Sequence, residues 1–222
     1  MGGGGEGGVG FASLTKIRAV VRNTAENITF IDRSGSPDPM ATAKTGSFYL
    51  NETVLLSAAQ LDGTRTTGTL DLSAYVNVPT GQAIAIDQVD FIHQVGGDYG
   101  QQVEAMLSGN GAISAQLTDL NPGNALVRAD DQSLVASSAL NIDIANNVAS
   151  HAADIYPDNF GPSGLSDMFI CVNDQLYLTA GPDGANIGGS AVSVTARVRC
   201  RVVKLSTKDW MAVAIQSTAA DN

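Results

Sequence analysis

The sequence predicts an all-β fold: a single jelly-roll-like β-sandwich of about eight to ten strands with a short C-terminal helix. Three observations carry this prediction. Apolar and polar residues alternate with a period of two in several segments, most cleanly over residues 192–202. Clusters of Gly, Asn, Asp and Pro separate those segments, and strand and helix patterns do not alternate. Of the 22 acidic residues 18 are Asp, a residue poor in helices and good in turns. At 222 residues the chain is long enough for one sandwich with a substantial core.

The expected organisation is a Gly-rich N-terminal arm (1–13), a sandwich domain (14–205) and a C-terminal helix with its tail (206–222). Seven of the first ten residues are glycine, Gly2, Gly3, Gly4 and Gly5 among them, a composition that predicts a flexible arm in isolation. It has neither the basic flank nor the apolar stretch of a signal peptide. Glu6 stands where a myristoylation motif needs Ser or Thr.

In "LTKIRAVVRN", Ile17, Ala19 and Val21 alternate with Lys16, Arg18 and, after Val20, Arg22. This predicts a half-buried strand with a basic outer face. "NITFIDRSGSPDP" predicts a short strand ending in a turn. "SFYLNETVLLSAAQLDG" fits a bent strand or a short helix. Leu70 and Leu72 share one side of the next strand, which ends in Pro-Thr-Gly. "QAIAIDQVDFIHQVGG" predicts a long strand with Ile84 and Ile86 on one face and Val89 and Phe91 on the other. The phase change near Asp87–Gln88 indicates a bulge or a change of partner.

"QQVEAMLSG", "GAISAQLTDL" and "SLVASSALNIDIA" read as further strands. Residues 146–167 read as a long irregular connection, and "MFICVNDQLYLTAG" as a hairpin about Asn173 and Asp174. Val192, Val194, Ala196, Val198, Cys200 and Val202 then alternate with Ser193, Thr195, Arg197, Arg199 and Arg201. Those eleven residues span roughly 36 Å as a strand, enough to cross a sandwich. Ser206 with Asp209 makes a capping box, and Leu205 with Trp210 a hydrophobic staple, so the only tryptophan has a structural role.

Charge is segregated. Net charge is −10, yet residues 45–196 hold two cations against 16 acids, a net of −14. Ten of the 12 cations lie in the terminal segments. Generic nucleic-acid binding by the body is therefore not expected. If the strands bearing Lys16, Arg18 and Arg22 and Arg197, Arg199 and Arg201 are neighbours, their like charges need acidic cover. The acidic body of another copy is one source, Asp from the chain's own loops another, and open solvent a third.

Cys171 and Cys200 match no zinc spacing; Cys200 reads as a buried thiol, and a disulfide requires neighbouring strands. His93 and His151 occur in unrelated contexts. Asp130 with Asp131, and Asp183 with Asn186, are acidic loop pairs of the kind that hold calcium, without EF-hand spacing. Nothing singles out a carboxylate pair for a hydrolase. No enzyme activity and no cofactor is expected.

The order of features over residues 174–216, "DQLYLTAGPDGANIGGSAVSVTARVRCRVVKLSTKDWMAVAIQ", together with the Gly-rich arm, resembles the single jelly-roll major capsid proteins of tailless icosahedral viruses of bacteria and archaea. The resemblance implies first and last strands lying close together, an arm that grips neighbours, and a subunit that tiles the shell of a virion. Partners are then other copies of the chain and further capsid proteins. Genome, lipid and another protein remain alternatives for the inner surface. Many capsid arms that touch the genome are densely basic, whereas no base precedes Lys16 here, which weighs against direct genome packaging by the arm. No sequence-specific nucleic-acid binding and no transmembrane segment is expected. The alternative reading is a secreted or surface carbohydrate-binding sandwich, in one form calcium-dependent, with Tyr99 and Tyr156 as exposed aromatics.

Overall fold

A computed structural model describes residues 41–96, 103–153 and 168–218. Among them the strands are β1 (Ala41–Ala43), β2 (Phe48–Leu56), β3 (Thr66–Asp71), β4 (Gln82–Val95), β5 (Gly111–Thr118), β6 (Leu134–Asp143), β7 (Val148–Ala153), β8 (Phe169–Cys171), β9 (Gln175–Asp183) and β10 (Val192–Leu205). One α-helix, α1 (Thr207–Thr218), follows.

The strands form two antiparallel sheets. In sheet 1, β10 is central: β1 and β2 share one of its edges, while β4 and then β8 lie beyond the other. Sheet 2 runs β3-β9-β5-β6-β7. Most connections cross from one sheet to the other, which is the winding of a jelly roll. The first described strand pairs with the last, Ala41 opposite Leu205. Between β1 and β2, Lys44 N–H donates to Val202 O and Thr45 Oγ1 accepts from Val202 N–H, so the ladder on β10 is kept across the gap.

Alternation on β10 does what the sequence predicts. Val192, Val194, Ala196, Val198, Cys200 and Val202 are buried in the core, facing Leu176, Leu178, Ile113, Ala115 and Leu117 of sheet 2. Each large aliphatic side chain buried there contributes about 1.5–3 kcal/mol. The pattern breaks at Val203, which is also fully buried. On the outer side of sheet 1, Val203 and Leu205 join Ala83, Ala85 and Val172 in a second apolar cluster, covered by Trp210, Val213 and Ala214 of α1.

That helix starts as its sequence announces. Ser206 Oγ accepts from Asp209 N–H at 3.2 Å and donates to the Asp209 carboxylate at 2.6 Å. Leu205 and Trp210 meet in the cluster beneath. Pro-Thr-Gly ends the loop before β4: Gly81 has φ 67°, and a Cβ there would lie 2.6 Å from Leu205 O, so the close pass needs glycine.

The phase change on β4 is a bulge. Its register with β10 passes from Arg199↔Gln88 to Cys200↔Ile86, leaving Asp87 as the extra residue. The bulge brings Val89 and Phe91 to the same core as Ile84 and Ile86, where uninterrupted alternation places them on opposite faces.

Three expectations are corrected. β8 pairs with β4 in sheet 1 and β9 with β3 and β5 in sheet 2, so Asn173 and Asp174 sit in a crossover and not a hairpin turn. Asn173 pins this crossover by donating from Nδ2 to Asp119 O. Residues Val103–Met106 form a 3-10 turn instead of a strand, with only an isolated bridge between Leu107 and Ile187. The connection at 146–167 contributes β7 at its start, paired to β6.

Candidate inter-subunit face

The outer side of sheet 1 is built by β2, β10 and β4 in register. Arg197 lies opposite Asn51 on β2 and Asp90 on β4, and Arg199 opposite Tyr49 and Gln88. Above them Thr53 and Thr195 share a hydrogen bond of 2.8 Å. The three arginines therefore stand on one face, as the alternation requires.

Their surroundings differ. The bulge turns Asp87 toward the row, where its side chain is only 7% exposed. Arg201 donates to Asp87 Oδ1 from Nε at 3.3 Å and from Nη2 at 3.0 Å. Arg199 Nε lies 3.8 Å from Oδ2, which also accepts from Ser47 Oγ at 3.0 Å. One carboxylate of the chain itself thus neutralises much of two arginines. Arg197 instead stacks over the Tyr49 ring, 4.1 Å from its centroid. Although Asp90 is opposite Arg197, the structure gives no ion pair between them; Asp90 accepts from Gln88 Nε2 at 2.8 Å. Lys16, Arg18, Arg22 and the arm glycines Gly2, Gly3, Gly4 and Gly5 lie outside the described residues.

α1 roofs one end of this face. The other end is open among the described residues, with Tyr49 47% and Leu55 56% exposed. Met211 and Ile215, one turn apart on α1, are likewise exposed.

One cluster carries no local signal in the sequence. His93 on β4 and His151 on β7 meet edge to face across the sandwich, ring centroids 5.5 Å apart. His151 Nε2 shares a 3.0 Å hydrogen bond with Ser138 Oγ, and among the described residues no partner meets His93 Nε2. Burial, aided by the neighbouring His151, pushes the His93 pKa down to about 4. The two residues belong to different sheets, and nothing local in the sequence links them.

The acidic loop pairs are already committed. Asp183 pairs with Arg65 and accepts from Ser114 Oγ at 2.5 Å, while Asn186 Oδ1 accepts from Asp62 N–H. Asp130 pairs with Arg128 at the surface, and Asp131 caps the turn at Ser133. Among the described residues no group of three or more His, Cys, Asp or Glu is placed to hold a metal ion. Tyr99 and Tyr156 lie outside the described residues.

Cys171 and Cys200 are separated by β4, so they are not on neighbouring strands, and both are free and buried. Burial pushes each thiol up to about 12, helped by the charge of Asp119 at Cys171 and of Asp87 at Cys200. Neither forms thiolate near neutral pH. In a titration with a thiol reagent at pH 8 the native protein is expected to show no fast-reacting group, and the urea-unfolded protein two.

No protein-family model matches the chain, and no curated protein matches it in sequence. Among the solved structures similar to it are two of viral origin. One is from turnip yellow mosaic virus, 9% identical, covering 83% of this chain and 90% of that chain at a TM-score of 0.30. The other is the VP1 protein of a Trichodysplasia spinulosa-associated polyomavirus in complex with sialylated precision glycooligomers, 10% identical, covering 75% and 99% at a TM-score of 0.35. Overlap at this level is loose. The jelly-roll order is a property of the chain's own two sheets.

Proposed function

We propose that the chain is a structural protein that assembles with copies of itself into the capsid shell of a virion. The observation that carries this reading is the segregation of charge on the jelly roll. A sheet face bearing Arg197, Arg199 and Arg201, the last two already beside the chain's own Asp87, belongs to a chain whose residues 45–196 carry a net of −14. Such a chain offers its own copies both halves of an electrostatic contact, one of the symmetric contacts from which a shell is built. Lys16, Arg18, Arg22 and the Gly-rich arm extend that contact in this reading. The sheet order supports the jelly-roll part of the resemblance to viral capsid proteins; the bacterial or archaeal origin of such a virus belongs to the proposal alone.

Electron microscopy and light scattering of the purified protein test it. Large regular particles are the expected result. A stable monomer at high concentration and physiological salt overturns the proposal.

A further inference from the structure

We infer that the open half of sheet 1 is the seat for helix α1 of a second copy of this chain, the two copies being related by a two-fold axis so that each helix fills the open half of the other's sheet. The inference rests on the self-assembly reading above and specifies a two-fold contact within it.

The first argument is shape. α1 covers Ala83, Ala85, Val203 and Leu205 at one end of the outer face. With its side chains a helix stands roughly 10–12 Å thick, so the face has a step of about that height. Two copies laid face to face with their helices at the same end collide helix on helix. Turned end for end, each helix drops into the space over the other's open half. A two-fold axis lying in the interface and crossing the strands does this.

The second argument is chemistry. Seven large apolar side chains are exposed among the described residues. Four of them are on this side of the molecule: Tyr49 and Leu55 on the open half, Met211 and Ile215 on α1. Arg197, stacked on Tyr49, completes a patch of the residue types that anchor interfaces.

Area favours a second copy over another partner. The open half spans three strands and seven residues, roughly 14 by 20 Å, or about 300 Å². One such patch is too small for a specific interface. Reciprocal seating uses two patches per copy and reaches roughly 1,200 Å² in total, the lower end of specific interfaces.

The test is complementation with the full chain. Leu55→Lys and Met211→Asp are made separately, and thermal melts confirm that each folds. Self-association is measured by sedimentation and light scattering for the wild type, each variant, and their equal mixture. In either variant alone both seats carry a buried charge, so the concentration for half-association is expected to rise at least tenfold. In the mixture one seat sets the introduced carboxylate against the introduced ammonium and the other is wild type, and association is expected to return. Association of either variant at wild-type concentration, or a mixture no better than its components, overturns the inference while leaving the shell reading intact. A monomeric wild type overturns both.

Discussion

Replacing Asp87 with alanine is expected to lower the unfolding free energy by about 2–3 kcal/mol. Removing one partner of a buried ion pair costs about 3–5 kcal/mol, because the other charge stays desolvated. Here the side chains of Arg201 and Arg199 are 23% and 44% exposed, so both have a route to water and the cost is smaller. Asp87 serves both arginines and Ser47 at once, which keeps the loss above that of a surface pair. Asp87→Asn retains an acceptor without the charge and is expected to fall between. Adding Arg201→Met to Asp87→Ala should recover part of the loss, since one uncompensated guanidinium is removed. Urea titrations of the four proteins at pH 7 check this. An Asp87→Ala midpoint equal to wild type would mean that the bulge does not hold the row.

Acid is expected to loosen the opposite side of the sandwich. In the unfolded chain His93 takes up its proton near pH 6.5, whereas in the folded chain it stays neutral down to about pH 4. Between these values the unfolded state binds more protons, so stability present above pH 6.5 is lost as the pH falls. The loss approaches about 3 kcal/mol once the pH passes below the folded value, with a slope of up to about 1.4 kcal/mol per unit. His93→Leu removes the titrating group and should flatten the wild-type slope between pH 6.5 and 4. Equal slopes for the two proteins would assign the acid sensitivity to carboxylates.

What the sequence made legible follows from the range of the interactions. Strict alternation on β10 and the Ser206–Asp209 cap are local, and both are where periodicity and capping rules place them. The bulge was visible as a break in phase, because an extra residue shifts every side chain after it. Its consequence was not visible: only pairing with β10 brings Asp87 under Arg199 and Arg201. The 169–183 segment has the look of a hairpin, two apolar runs about Asn173 and Asp174, yet β4 and β5 claim its two halves for different sheets. His93 and His151 meet only after the second sheet folds over the first. Lys16, Arg18 and Arg22 lie outside the described residues and keep their predicted place in the contact as part of the proposal.

The position of β10 bears on how the molecule is made. It leaves the ribosome after every other described strand, and β1, β2 and β4 have all been waiting for it. Until Val192–Leu205 emerges, β2 and β4 present unsatisfied edges, and of the ladders of sheet 1 only β4–β8 has both its strands. Closing contacts between strands so far apart in sequence also bears a large loop-closure entropy. Folding of sheet 1 is thus expected to be late and slow for a chain of this size, with nascent chains halted before β10 the aggregation-prone species. In the assembly proposed above, the contact face is complete only once all the other described strands have been made, which would separate manufacture of the protein from its assembly.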